Sequence, residues 1–93
     1  MPGDSSFASI KKRLTATGDV VVGTKGICTG IRLVGGSTAA TAVVKQGGSG
    51  GAEITTLKAG IDGVDNHSHD FYFEGGLHVT VTGTAPEITF YIK

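Results

Sequence analysis

Glycine arrives in pairs. Gly35-Gly36, Gly47-Gly48, Gly50-Gly51 and Gly75-Gly76 punctuate a chain of 93 residues that holds sixteen glycines, twelve threonines and only four leucines. Paired glycines supply the positive φ angles that tight hairpin turns need. Threonine in excess over leucine is strand composition, not helix composition. Glycine plus proline makes up about a fifth of the residues, which suits a turn-rich fold and not a low-complexity tract.

Alternation between the glycines fixes the strands. "LHVTVT" (77–82) places Leu77, Val79 and Val81 on one face and His78, Thr80 and Thr82 on the other; "EITFYIK" (87–93) turns Ile88, Phe90 and Ile92 inward. Gly83 and Pro86 between them predict a closing hairpin. "GICTGIRLV" (26–34) aligns Ile27, Ile31 and Leu33 with Thr29, and "TAATAVVKQ" (38–46) alternates weakly before "GGSGG", which reads as a long hairpin turn. "EITTLKA" (53–59) breaks its alternation between Ile54 and Leu57, which suggests a bulge or a strand covered on both sides. With "DVVV" (19–22) and "HDFYF" (69–73), this makes seven strands in one domain. The expected class is all-β: a small antiparallel β-sandwich or jelly roll over residues 15–93. A single core this small leaves a monomer of modest stability, so self-association is expected.

Residues 1–14 differ. Phe7, Ile10 and Leu14 stand at helical spacing, with Ser5 or Ser6 as a cap, but two turns do not hold alone in water. An extended or short-helical N-terminal arm follows, ordering on contact with a neighbour. Its contact residues are Phe7, Ile10, Lys11, Lys12 and Arg13. The opening segment has no apolar core of the signal-peptide kind, and the longest aliphatic run, "VVV" at 20–22, is far too short to span a membrane.

Eight basic residues balance eight acidic ones, which argues against a nucleic-acid partner, since neutralising phosphates needs a basic surplus. Lys11, Lys12 and Arg13 form the one basic cluster, and Asp62, Asp65, Asp70 and Glu74 gather elsewhere; the bland expectation is two solvated patches, the sharper one that they meet between neighbouring subunits. Cys28 has no partner for an internal disulfide and no basic or imidazole neighbour in sequence, so it reads as a packed small hydrophobe.

The chemistry-bearing residues crowd into "NHSHDFYFEGG" (66–76). Residues two apart on a strand share a face, so His67 and His69 could chelate one metal. H-x-H followed by four residues and Glu74 resembles the first metal-binding motif of the cupin family. That resemblance implies a metal-dependent enzyme on a small β-barrel, holding iron, manganese or zinc through His67, His69 and Glu74. The family's second motif is absent, and regular parity puts Glu74 opposite the histidines. H-x-H repeated around a threefold axis would offer six imidazoles, as in some phage spike tips. The simpler expectation is a core strand entered from an acidic loop. No serine sits in a nucleophile elbow, "GGSGG" lacks the Lys-Ser/Thr of a phosphate loop, and Asp62, Asp65 and Asn66 lack EF-hand spacing. Thr80, Thr82, Thr89 and Tyr91 form an exposed row that a carbohydrate could use.

The ending "FEGGLHVTVTGTAPEITFYIK" resembles a group of short virion proteins of tailed bacteriophages, particularly those of marine and cyanobacterial hosts. Gly75, Gly76, Leu77, Gly83, Thr84, Pro86, Glu87 and Tyr91 carry the likeness, which extends over residues 26–93. The resemblance implies a non-enzymatic capsid decoration or cement protein on the virion surface, made in the host cytoplasm. It also implies a homotrimer, the major capsid protein as partner, and no cofactor. Beside the cupin-like enzyme, a carbohydrate-binding module or tail-fibre component using the Thr/Tyr face is the further alternative.

Overall fold

The computed structural model describes residues 10–93, and it is all-β. Nine strands form: β1 (Ile10–Leu14), β2 (Gly18–Val22), β3 (Gly26–Val34), β4 (Ala40–Gln46), β5 (Ala52–Ala59), β6 (Val64–His67), β7 (Phe71–Phe73), β8 (Gly76–Thr82) and β9 (Glu87–Ile92). One antiparallel sheet runs β1-β9-β3-β6, with β7 also paired to β3; the other runs β2-β8-β4-β5. Because β6 and β7 lie along the same side of β3, they act as one interrupted strand. Every connection then crosses between the sheets except β4 to β5, and this is jelly-roll connectivity.

Two expectations are corrected here. The closing hairpin does not form: β8 pairs with β2 and β4, whereas β9 pairs with β1 and β3 in the opposite sheet. Residues 83–86 therefore carry the chain across the sandwich. The arm also ends earlier than residue 14. Lys11 and Arg13 lie opposite Tyr91 and Thr89, so 10–14 is an edge strand of the sandwich, not a helix or a detached segment. Lys12, opposite Phe90, occupies the inward-facing side that disguised the alternation.

The core packs mostly large side chains of the first sheet against a second sheet that mixes small residues with Leu57 and Leu77. Phe73, Phe90, Ile31, Leu33 and Ile88 come from the first sheet; Ala40, Ala42, Ala59 and Val44 lie among those facing them from the second. Burial of Leu77, Val79, Ile88 and Phe90 follows the alternation as expected. The bulge expected in 53–59 is also present: Val44 pairs with Thr55 but Lys45 with Glu53, leaving Ile54 as the extra residue.

The glycine pairs divide by physical role. "GGSGG" does turn β4 into β5, and Gly75 and Gly76 have positive φ as the turns require. Gly35-Gly36 does not make a hairpin. A Cβ on Gly36 would overlap the Thr84 carbonyl oxygen and stand 2.5 Å from that of Ala85, so the pair exists to let two crossing loops pass backbone against backbone.

Candidate functional site

The histidine stretch is split by the fold. His67 closes β6 opposite Ile31, residues 68–70 are irregular, and Phe71 resumes pairing opposite Cys28. Over the interval from the Ile31–Phe90 pair to the Cys28–Ile92 pair, each strand advances by a different number. Residues run 90 to 92 in β9, 31 to 28 in β3 and 67 to 71 in the interrupted strand. Each strand is one residue longer than its neighbour, so the sheet flares. Phe73 is driven into the core, as the simpler reading of this stretch expected.

His67 stacks edge-on against His69, with ring centroids 5.9 Å apart, and against Phe71 at 5.7 Å. Glu74 lies beyond β7, exposed, its backbone N–H donating to Gln46 Oε1. Among the described residues no group of three or more His, Cys, Asp or Glu is arranged to hold a metal ion, so His67, His69 and Glu74 are not gathered into a cupin-like set. His78 points away from this stretch, onto the outer face of the second sheet. There it is buried, and its Nδ1 lies 2.9 Å from Asp19 Oδ1, joining β8 to β2. Cys28 is fully buried, and burial pushes its thiol up to about 11, which keeps it protonated and unreactive.

The proposed contact residues are placed in part. Phe7 lies outside the described residues. Ile10 opens β1, and Lys11, Lys12 and Arg13 are exposed along that sheet edge. Arg13 donates to Glu87 on β9, and the guanidinium holds the Glu87 carboxyl below its usual range through the hydrogen bond and its charge. The acidic group occupies the opposite edge of the same sheet. Asp62, Asp70 and Glu74 are exposed around β6 and β7, while Asp65 Oδ2 accepts the backbone N–H of Lys58 at 2.9 Å, tying β6 to β5. The row Thr80, Thr82, Thr89 and Tyr91 is not one surface, because β8 and β9 belong to different sheets.

A feature that sequence reasoning missed lies where the first sheet flares. A groove of about 480 Å³ opens on its outer face around Gly30, lined by Tyr91, Arg32, Asn66, His67 and Ser68. Its signal was in the sequence as a lone glycine inside "ICTGIRL", away from any glycine pair, which in a strand marks a bulge or a close approach.

No family model matches the chain, and no curated protein sequence matches it. Among solved structures it is similar to one described as "Bacillus endospore appendages form a novel family of disulfide-linked pili", with 15% identity and a TM-score of 0.47 over 91% of this chain and 88% of that one. It is also similar to "Unbound Oxidised CprK", with 14% identity and a TM-score of 0.30 over 99% of this chain and 41% of that one. These scores are too low to carry either protein's function to this chain.

Proposed function

We propose that the chain is a non-enzymatic structural protein of a tailed-phage virion, a decoration subunit that attaches to the capsid surface as a homo-oligomer, a trimer. The observation that carries this reading is the opposed charge on the two edges of one sheet: Lys11 and Lys12 on β1, where Arg13 is already paired with Glu87, and Asp62, Asp70 and Glu74 around β6 and β7. Copies placed side by side bring unlike edges together in a head-to-tail contact, which closes into a ring when the rotation between copies allows. The phage-protein resemblance of residues 26–93 supports the same role, and many weak contacts repeated over a lattice give firm attachment without a catalytic site.

Mass measurement in solution tests the association. A trimer at low salt that dissociates in Lys11→Glu/Lys12→Glu and re-forms when Asp70→Lys/Glu74→Lys is added in the same chain supports the edge contact. A monomer at every concentration and salt refutes it. Capsid attachment is read separately, by co-sedimentation of the purified protein with phage heads lacking it. Removing residues 1–14, which would otherwise test the arm, also removes β1 from the sheet, so a deletion of residues 1–9 is the cleaner probe. Undiminished sedimentation of both that deletion and the Lys11→Glu/Lys12→Glu protein rules out this segment as the capsid contact.

A further inference from the structure

Gly30 sits within β3 beside the irregularity in its pairing with β9 between Cys28 and Gly30, yet its own backbone conformation and surroundings leave room for a side chain. Its φ is not positive, and a Cβ built on it would meet His67 O and Tyr91 Cδ2 at 3.7 Å, ordinary contact. Glycine inside a strand weakens it, through chain entropy and the lost side chain. What the missing side chain leaves is the floor of the groove.

Register explains the walls. Tyr91 is the cross-strand partner of Gly30 on β9, and Ser68 follows the end of β6 on the other side. One row along, Arg32 stands between Thr89 and Asn66. A phenol ring, a guanidinium, an amide and a hydroxyl thus surround an unfilled space of about 480 Å³, within the size range of small-molecule sites. Among the described residues Arg32 forms no ion pair, whereas Arg13 is held by Glu87. On the far side of Tyr91 from Gly30, Lys11 Nζ lies 5.9 Å from the centre of the same ring. Of the residues lining the groove, Arg32 alone carries a full charge, and it is positive.

An extended peptide cannot add here as a strand, because β3 already pairs with β9 and with β6 and β7. The occupant must be compact, with an apolar face for the ring, hydroxyls for the amide and serine, and an anionic group for the guanidinium fork. We propose that the groove binds a sugar residue bearing a carboxylate, of the uronic-acid type, as part of an acidic polysaccharide. This goes beyond decoration of a capsid and does not depend on it.

The test is titration of the intact protein, followed by amide chemical shifts, with an oligogalacturonate, a neutral glucan of equal length and poly-glutamate. Two variants accompany it: Arg32→Gln, which removes the anion partner, and Gly30→Val, which fills the floor. The expected result is saturable binding of the oligogalacturonate with shifts centred on Gly30, Arg32 and Asn66. Arg32→Gln weakens it about ten-fold or more, and Gly30→Val abolishes it with a melting temperature unchanged or higher. Should Gly30→Val fail to fold, the Arg32→Gln ratio decides. Binding of the neutral glucan as tight as that of the acidic one overturns the carboxylate assignment. Poly-glutamate binding as well as the sugar, indifferent to Gly30→Val, shows mere surface attraction and overturns the site. Absence of any shift at millimolar ligand does the same.

Discussion

Gly36→Ala adds one methyl group and should be among the most damaging conservative changes in the molecule. The new Cβ would overlap the Thr84 carbonyl oxygen and stand 2.5 Å from Ala85 O and 2.8 Å from its carbonyl carbon, whereas ordinary contact begins at 3.4 Å. The obstruction is main chain, so no rotamer relieves it. Neither side can retreat cheaply. Gly36 O accepts the N–H of Asp62 at 3.1 Å, and the N–H of Thr84 is held by Thr38 Oγ1 at 2.8 Å. Ala85 and Gly83 already occupy positive φ, which fixes the facing loop further. Overpacking costs about 1–3 kcal/mol where neighbours can shift, so about 3 kcal/mol is expected here. Gly48→Ala is the control: nothing lies within 4 Å of its Cβ and its φ is not positive. That change should be neutral or stabilise by about 0.4–1 kcal/mol through the unfolded chain. In a domain of this size each kcal/mol moves the melting temperature by about 4–8 °C, so the two alanine variants should differ by well over 10 °C, roughly. Circular dichroism melts read this directly. Equal melting temperatures for Gly36→Ala and Gly48→Ala would refute the backbone crossing between Gly36 and residues 84–85.

Three further outcomes follow from the core and the edges. Phe90→Ala should cost about 3–5 kcal/mol, since the ring is fully buried in a sheet interior, and urea denaturation should show most of the stability gone. Cys28 should resist alkylation in the native state and react only as fast as the protein opens. Its folded pKa lies above the unfolded one, so its share of stability is complete below about pH 9 and is lost as pH climbs toward 11, seen as a falling melting temperature. Asp65→Ala should cost about 1 kcal/mol and speed hydrogen exchange at the Lys58 amide, which the carboxylate covers.

What the sequence made legible was which way side chains point. Leu77, Val79, Ile88 and Phe90 are buried because strict alternation leaves no other inward set, and the irregular spacing of Ile54 and Leu57 announced its bulge. What it did not disclose was partnership. Alternation says which face is buried but not which strand lies alongside, and a four-residue link such as 83–86 serves a hairpin or a crossing equally well. β1 was misread for a different reason. With Lys12 on the inward side, five residues show no period of two, and Phe7, Ile10 and Leu14 supply a period that looks helical. The groove was hidden because it is made by a side chain that is missing, at Gly30, whose pairing with Tyr91 depends on an irregularity between Cys28 and Gly30.

The strand edges constrain how copies can meet. An open edge invites pairing with any other chain unless something blocks it. Here β1 places an exposed Lys12 on its inward side, and β2 carries an extra residue, Val20, between its pairs to β8. β5 is bulged at Ile54 and has its Lys58 amide taken by Asp65, and the opposite edge is broken at residues 68–70. Each edge thus spoils main-chain strand addition while leaving Lys11, Lys12, Asp62, Asp70 and Glu74 exposed to solvent. Association through β1 and the β6–β7 edge should therefore be ionic in character. The proposed oligomer should dissociate steeply as salt rises, because exposed charges are screened, and amide exchange in β1 should be the same before and after assembly. Strong new protection of the β1 amides on assembly would mean that copies join by extending the sheet, and the opposed charges would then be incidental to it.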